Sequence, residues 1–300
     1  MEKIQRLKER RKAIILAHNY QPGEIQDMAD FVGDSLGLSR QAATTEAEVI
    51  VFCGVRFMAE TAAILSPEKT VLLPEKNAGC PMADMITPRQ LAELKSTHPE
   101  ALVVCYVNTP AEVKALSDYC CTSGNAVELV NSIPPQREII FVPDKYLGQF
   151  IIDRTGRDMI LWPGYCLTHV MITAEDIQNA KAKYPDAVVL AHPECSDQVR
   201  KCADELLSTS GMLNFAEKSE AKQFIIGTEV GIIHALKKRN PRAEFIPVTD
   251  RAICPNMKKI TLAKVIGALE DMQYRVTVPD EIRIKAVKAI DRMMEVLPTK

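Results

Sequence analysis

The sequence predicts an α/β protein made of three similar αβα-sandwich domains with short parallel sheets. Two observations lead to this fold class. Continuous apolar runs, such as residues 13–18, 102–107 and 187–191, alternate with helix-like segments, as is typical of parallel strands that helices cover on both faces. Residue patterns also recur after 86 or 88 residues, a period longer than that of solenoid repeats. Each copy is therefore expected to form a small domain.

Four sets of residues carry this repeat, and the three members of each set are 86 and 88 residues apart. The sets are Cys80, Cys166 and Cys254; His18, Tyr106 and His192; Ser35, Ser123 and Thr209; and Thr87, Thr173 and Thr261. Each threonine of the last set precedes a helix-like segment. Since four independent sets share one period, the sequence indicates an internal triplication with pseudo-threefold symmetry.

The predicted strands are the apolar runs, and the predicted helices fill the segments between them. In the first copy the strands are 13–18, 49–52 and 70–73, and the helices are 2–11, 27–43 and 57–65. In the second copy the strands are 102–107, 139–142 and 159–161, and the helices are 88–96, 111–116, 126–131 and 147–155. In the third copy the strands are 187–191, 224–226 and 244–246, and the helices are 174–183, 198–203 and 230–238.

The C-terminal segment is expected to close the ring of copies. Residues 261–272 match the helix that opens each copy. A last helix over 281–294 is expected to dock through one apolar face, which holds Ile282, Ile284, Val287, Ile290 and Met294. The predicted domains are 1–86 together with 259–300, then 87–172, then 173–258.

The charge balance argues against a nucleic-acid partner. The chain has 37 basic and 39 acidic residues, a net charge of −2, and no basic stripe to hold a phosphate backbone. No apolar run approaches the roughly 20 residues that span a bilayer. The apolar run before His18 is too short for a signal peptide. We therefore expect a cytoplasmic protein that binds neither nucleic acid nor membranes.

The nine cysteines favour metal binding or catalysis over disulfides in a reducing compartment. Cys80, Cys166 and Cys254 each lie in a loop that contains glycine or proline, and the repeat predicts that they meet on one axis. Their spacing leaves two possibilities open. Zinc would need a fourth ligand such as His169. An iron-sulfur cubane would keep one iron open to substrate, and that iron would act as a Lewis acid.

The polar residues that follow the strands predict a ligand site, because ligands of parallel α/β units bind beyond the carboxyl ends of the strands. Taken singly, the histidines are also compatible with structural hydrogen bonding, and the hydroxyls with helix N-caps. Their repetition in three copies favours a shared site. Its predicted members are His18, Tyr20, Ser35, Tyr106, Asn108, Ser123, His192, Glu194 and Thr209.

At these residues the chain resembles the quinolinate synthase family, iron-sulfur enzymes of NAD biosynthesis. The resemblance runs nearly end to end. It is carried by ILAHNY (15–20), DFVGDSL (30–36), GVRFMAE (54–60), CPMA (80–83), YVN (106–108), CTSGNA (121–126), HPEC (192–195), TE (228–229) and CPNMK (254–258).

The resemblance implies three αβα domains around a central four-iron, four-sulfur cluster that Cys80, Cys166 and Cys254 hold. It also implies a reaction in which iminoaspartate condenses with dihydroxyacetone phosphate to give quinolinate, phosphate and two waters. An aspartate oxidase or dehydrogenase would supply the iminoaspartate. The implied substrate-binding residues are His18, Ser35, Tyr106, Asn108, Ser123, His192, Glu194 and Thr209.

Proton transfer is assigned to Glu194, Tyr20, Tyr106 and His192, because enolisation and dehydration need positioned acids and bases. His169 completes a Cys-x-x-His pattern with Cys166, either as a substrate contact or as a residue that orients the loop. Two rival readings remain. One is a radical iron-sulfur enzyme of the diphthamide-forming type, and the other is a zinc-stabilised scaffold or redox sensor without enzymatic activity.

Overall fold

Three parallel sheets with equivalent strand order form the framework of the computed structural model, which describes residues 2–296. In each sheet the first strand of the copy lies between the second and third strands. The predicted α/β fold with short parallel sheets is thereby confirmed. We propose that each sheet and its helices form one domain, with bounds at 1–86 plus 259–300, 87–172 and 173–258.

The first sheet has the order β4-β3-β1-β2 among its parallel strands. Its strands are β1 (Ala13–His18), β2 (Phe31–Gly33), β3 (Val49–Cys53) and β4 (Thr70–Leu72). The helices of this copy are α1 (Glu2–Arg11), α2 (Gly23–Met28), α3 (Ser35–Thr44) and α4 (Arg56–Leu65), and a short 3₁₀ helix follows at Ala83–Met85.

The second sheet has the order β8-β7-β5-β6. Its elements are α5 (Pro88–Thr97), β5 (Leu102–Tyr106), α6 (Ala111–Lys114), β6 (Tyr119–Cys121), α7 (Ala126–Ser132), β7 (Ile139–Val142), α8 (Lys145–Thr155), β8 (Ile160–Leu161) and α9 (Leu167–Val170).

The third sheet has the order β12-β11-β9-β10. Its elements are α10 (Ala174–Lys183), β9 (Val188–Ala191), α11 (Asp197–Arg200), β10 (Glu205–Leu206), α12 (Thr209–Lys218), β11 (Gln223–Gly227), α13 (Ile232–Arg239) and β12 (Glu244–Pro247). None of the helices within residues 2–296 combines the length and apolar character needed to cross a membrane.

A repeated aspartate contact supports the internal triplication. The carboxylate of Asp30 accepts a hydrogen bond from the N–H of Ile15 in β1 at 2.8 Å. Asp118 and Asp204 accept the same bond, also at 2.8 Å, from the second residues of β5 and β9. Each aspartate therefore ties the segment before a short edge strand to the central strand of its copy.

The threonines at 87, 173 and 261 start helices as predicted. Each is an N-cap whose side-chain oxygen accepts a backbone N–H from the third residue of the helix. The bond satisfies one of the N–H groups that the first turn leaves unpaired. The third of these helices, α14 (Leu262–Asp271), packs against α1, where Arg11 donates to the carbonyls of Leu269 and Glu270.

The predicted helix over 27–43 is wrong. The segment forms the end of α2, the edge strand β2 and most of α3. Asp34 ends the strand and begins the next helix, because its carboxylate accepts the N–H of Gly37 at 2.8 Å. The strands β6 and β10 and the helix α12 were also not predicted.

The last helix, α15 (Asp280–Glu295), docks through a face that overlaps the predicted one, because Ile290 is buried and Ile282, Val287 and Met294 are partly buried against the core. Its buried residues are Ala286, Ala289, Ile290 and Met293, whereas Ile284 is 53% exposed. Small alanines let the helix approach α4 of the first copy and α6 and β6 of the second. Before it, β13 (Arg275–Val276) pairs antiparallel with β4 and extends the first sheet. The C-terminal segment therefore contacts both of the first two copies.

Candidate active site

The carboxyl ends of β1, β5 and β9 open into one cavity of about 260 Å³, as the repeat predicts. His18, Tyr106 and His192 line it, each at or directly after the end of its strand. The structure brings every residue proposed from the sequence to this cavity. The lining includes His18, Tyr20, Ser35, Cys80, Tyr106, Asn108, Ser123, Cys166, His192, Glu194, Thr209 and Cys254.

Hydrogen bonds across the copies hold this cavity together. Ser123 Oγ of the second copy lies 3.1 Å from His192 Nε2 of the third. Tyr20 of the first copy contributes its hydroxyl, which lies 2.5 Å from Thr228 Oγ1 of the third. Because the lining residues come from all three sheets, the site exists only when the three copies are assembled.

The hydroxyls of Ser35 and Thr209 are not helix caps, although each begins a helix. The caps are the preceding residues, Asp34 and Ser208, whose side chains accept N–H groups from the first turns of α3 and α12. Ser35 and Thr209 instead line the cavity. Their hydroxyls are therefore placed to contact a ligand, which favours the functional reading of this set.

The two histidines share one local geometry. His18 Nδ1 accepts the backbone N–H of Tyr20 at 3.1 Å, and His192 Nδ1 accepts that of Glu194 at 3.3 Å. This contact leaves each Nε2 as the hydrogen-bearing nitrogen. Burial lowers the pKa of both histidines to about 3, despite the opposing charge of Glu194. Both imidazoles are therefore neutral donors at physiological pH.

Glu194 is the carboxylate at the centre of the polar lining, and only 3% of the residue is exposed. Its Oε2 lies 2.7 Å from His169 Nδ1 and 3.9 Å from His192 Nδ1. Burial alone would raise the pKa of Glu194. The two imidazoles, the hydrogen bond from His169 and the nearby hydroxyl of Tyr106 outweigh burial, so the pKa lies below its ordinary value. Glu194 is therefore ionised and accepts hydrogen bonds or a proton.

Two tyrosine hydroxyls in the cavity keep their protons at neutral pH. Burial, followed by the nearby charge of Glu194, raises the pKa of Tyr20 and of Tyr106 well above the ordinary value. The Tyr106 hydroxyl also lies beside the Glu194 carboxylate. Asn108 adds an amide whose buried Oδ1 has no hydrogen-bond partner among residues 2–296. Since buried polar atoms are nearly always paired, this oxygen is a position where a ligand donor fits.

The three cysteines of the repeat lie on the wall of the same cavity. Burial raises the pKa of each thiol, to about 12 for Cys80. Repulsion from Cys254 contributes at Cys80, and repulsion from Cys80 contributes at Cys166, so the groups are near enough to interact as anions. A cation bound at this wall would stabilise the thiolate forms that burial disfavours.

Backbone amides also face these sulfurs. Cys80 accepts N–H groups from Met82 and Ala83, Cys166 accepts one from His169, and Cys254 accepts two from Asn256 and Met257. Hydrogen bonds of this kind favour the thiolate form and are a feature of cysteines that hold iron-sulfur clusters. The wall therefore fits a metal group bound through three thiolates.

His169, which the sequence left undecided between two roles, contacts both halves of the site. Its Nδ1 lies 3.1 Å from Cys166 Sγ and also faces the carboxylate of Glu194. Its Nε2, on the opposite side of the ring, lies 2.8 Å from Thr228 Oγ1. A hydrogen-bonded chain thus runs from Tyr20 through Thr228 and His169 to Glu194. It joins the cysteine wall to the polar lining.

Three further residues of the site, Thr228, Glu229 and Lys258, were given no role from the sequence. The fully buried Glu229 accepts the N–H of Cys254 at 3.1 Å and pairs with Lys258 at 2.8 Å. Lys258 also donates to the carbonyl of Tyr20. The signal for Thr228 and Glu229 was present in the sequence, because they follow the predicted strand 224–226 as Tyr20 and Glu194 follow theirs.

Comparison with known proteins gives consistent matches over almost the whole chain. The family model described as NadA, quinolinate synthetase A protein, matches residues 2–295. A quinolinate synthase of Dehalococcoides mccartyi strain CBDB1 is 59% identical over 295 residues, which cover 98% of this chain and 97% of the relative. Quinolinate synthase 2 of Methanosarcina acetivorans is 55% identical over 298 residues, 99% of this chain and 96% of the relative. A quinolinate synthase of Geobacter metallireducens is 53% identical over 295 residues, with 98% and 97% covered.

Proposed function

The chain belongs to the quinolinate synthase family, and we propose that it condenses iminoaspartate with dihydroxyacetone phosphate to form quinolinate. Phosphate and two waters leave, which balances the atoms of the two reactants. The observation that carries the proposal is the cavity itself, whose lining combines three thiols, a set of neutral donors and the ionised carboxylate of Glu194.

The substrates of this reaction carry carboxylates and a phosphate. Neutral imidazole N–H groups at His18 and His192 and the hydroxyls of Ser35, Ser123 and Thr209 supply hydrogen bonds to such anions. Bonds to charged acceptors are the stronger class, and they gain strength in a water-poor cavity. Local donors therefore explain how a chain of net charge −2 can bind two anionic reactants.

We assign proton removal to Glu194 and proton donation to Tyr20 and Tyr106, while His192 orients Glu194 and the substrate. Enolisation requires a base at the carbon that forms the new bond, and dehydration requires an acid at the departing hydroxyl. Glu194 stays ionised at neutral pH because its pKa is lowered. The tyrosines keep their protons because their pKa values are raised. Base and acids therefore coexist within one hydrogen-bonded set.

A four-iron, four-sulfur cluster is the metal group that we assign to Cys80, Cys166 and Cys254. The donor set fits it, since the three sulfurs accept backbone N–H groups and lie on one wall. When bound, such a cluster with three cysteine ligands supplies an open iron that acts as a Lewis acid. Glu194 and the tyrosines line the same cavity as the three cysteines. A substrate bound by these residues would therefore lie close to a metal group held by the cysteines.

The supply of iminoaspartate implies a second enzyme. An imine of this type forms when the amine of aspartate is oxidised, so an aspartate oxidase or dehydrogenase in the same compartment is the expected partner in metabolism. We propose that this compartment is the cytoplasm.

An anaerobic assay tests the proposed reaction directly. Full-length protein reconstituted with iron and sulfide is mixed with iminoaspartate and dihydroxyacetone phosphate, and quinolinate and free phosphate are measured. We expect the two products in equal amounts. Cluster-free protein serves as the negative control. Reconstituted protein that binds the cluster and forms no quinolinate would contradict the proposal.

A further inference from the structure

Three ligand atoms of different chemistry converge between the cysteine wall and the polar lining. They are Cys166 Sγ, His169 Nδ1 and Glu194 Oε2, and all lie within 4.8 Å of one another. His169 Nδ1 is 3.1 Å from the sulfur and 2.7 Å from the carboxylate oxygen. This group shares only Cys166 with the three cysteines of the repeat.

We propose that the cluster-free protein binds one zinc ion through Cys166, His169 and Glu194. Thiolate, imidazole and carboxylate are the three ligand types that zinc takes in proteins. Together a thiolate and a carboxylate balance the charge of Zn²⁺, and the neutral imidazole adds none. Three protein ligands leave the fourth tetrahedral position for a water molecule, as in zinc sites that remain open.

The geometry is close to what the ion requires. With bonds of about 2.0–2.1 Å to nitrogen or oxygen and about 2.3 Å to sulfur, a tetrahedral zinc holds its ligand atoms roughly 3.3–3.6 Å apart. The two close contacts of His169 must therefore open by about half an ångström.

The imidazole is held in place from its far side. His169 is 2% exposed, and its Nε2 lies 2.8 Å from Thr228 Oγ1. A hydrogen bond to the nitrogen opposite the metal is the usual way in which proteins orient a ligating histidine. Thr228 therefore directs Nδ1 at Cys166 and Glu194 before any ion arrives.

Zinc at this position excludes the cluster, because both need the sulfur of Cys166. It also occupies the carboxylate that we assign as the catalytic base. A zinc-loaded molecule is thus expected to resist reconstitution with iron and sulfide until a chelator removes the ion. Whether zinc binds is independent of the proposed reaction, since the binding is measured on cluster-free protein without substrates.

X-ray absorption at the zinc edge tests the ligand set on the unmodified full-length chain. Cluster-free protein is loaded anaerobically with one equivalent of Zn²⁺. We expect one sulfur at about 2.3 Å and three nitrogen or oxygen neighbours at about 2.0–2.1 Å. Three sulfur neighbours would overturn the proposal, because they would place the ion on the cysteines of the repeat. Failure to bind one equivalent would overturn it as well.

Variants give a second, independent test by competition with a chromophoric zinc chelator. We expect His169→Gln to weaken zinc binding by at least about 100-fold, and Thr228→Val by about 10-fold, the usual effect of losing the partner that orients a ligand. Cys80→Ser is the matched control, a thiol of the same wall outside the proposed group, and should change the affinity by less than about threefold. The reverse pattern, with Cys80 essential and His169 dispensable, would refute the assignment.

Discussion

Replacing Thr228 by valine should impair catalysis. Thr228 has no assigned proton-transfer role of its own, but its hydroxyl contacts both Tyr20 and His169. Valine has nearly the shape of threonine and lacks only the hydroxyl. In the native structure Thr228 Oγ1 lies 2.5 Å from the Tyr20 hydroxyl and 2.8 Å from His169 Nε2. The substitution therefore removes two hydrogen bonds from a residue that is 1% exposed, without creating a cavity.

The size of the effect follows from what the two partners lose. Tyr20 and His169 are both buried, so each is left with an unpaired polar group that costs about 1–3 kcal/mol. We expect the free energy of unfolding to fall by roughly 2–5 kcal/mol, since the new methyl group recovers part of the loss. If one of these bonds holds Tyr20 in its reactive position, kcat should fall about 10- to 100-fold, because 1.4 kcal/mol corresponds to a factor of ten.

The assay combines steady-state kinetics of quinolinate formation with urea unfolding. A change confined to kcat, with KM altered by less than about threefold, indicates an interaction used in the transition state rather than in binding. Thr228→Ser is the matched variant, because it keeps the hydroxyl and removes only a methyl group. It should lose about 1 kcal/mol of stability and retain kcat within about threefold.

Two results would refute this reasoning. If the valine variant is less stable but turns over at the normal rate, Thr228 is only a structural residue. If the serine variant loses as much activity as the valine variant, the activity depends on the methyl group of Thr228 rather than on its hydroxyl. In that case the hydrogen bond from Thr228 does not position Tyr20.

Other consequences of the site are equally open to measurement. Cys166→Ser should abolish the brown colour and the iron content of reconstituted protein, whereas Cys202→Ser, outside the cavity, should change neither; an unchanged spectrum for the first variant would exclude Cys166 as a ligand. Glu194→Gln should keep the full iron content and lose about 100-fold or more in kcat, the range of general acid-base catalysis, and normal turnover would remove Glu194 from the mechanism. Stability should fall as pH drops from 6.5 toward 3, because the unfolded chain takes up protons at His18 and His192 that the folded protein, with pKa values of about 3, does not. These two sites contribute a slope of at most about 2.7 kcal/mol per pH unit, and His192→Gln should reduce it; an unchanged slope in urea titrations would contradict the burial argument.

The repeat allowed much of the site to be predicted, because it aligned the strand ends before any fold was known. His18, Tyr106 and His192 were found in this way, and the cavity contains all three. The N-cap of α3 shows what the sequence alone could not predict. Asp34 and Ser35 are adjacent and both suit a helix N-cap, so a shift of one residue decides which side chain caps α3. That shift is fixed by a contact with the N–H of Gly37, which local propensity does not specify.

Short elements could not be predicted from the sequence for a related physical reason. The strand Phe31–Gly33 is stabilised by pairing with β1 and by the bond from Ile15 to Asp30, both of which are long-range contacts. Its three residues carry too little pattern to be separated from the helices on either side. The prediction for α15 failed at Ile284 alone. At about 100° per residue Ile284 lies roughly opposite Ala286, Ile290 and Met293, and it is 53% exposed, whereas neighbouring elements bury the alanine side.

The triplication also explains how a symmetric framework yields an asymmetric site. The N–H of the second residue after the histidine binds its Nδ1 in the first and third copies, so the backbone geometry at these strand ends is the same. The side chain at that second position differs in each copy, being Tyr20, Asn108 and Glu194. The fold therefore repeats one position in space three times, and substitution there provides a tyrosine hydroxyl, an amide whose oxygen has no partner among residues 2–296, and a carboxylate. The second copy departs further, because Tyr106 replaces the histidine and its hydroxyl lies beside Glu194. A histidine at 106 would restore the symmetry but remove that hydroxyl from the carboxylate. Under the proposed assignment, loss of strict symmetry is thus what places a protonated tyrosine beside the carboxylate that takes a proton.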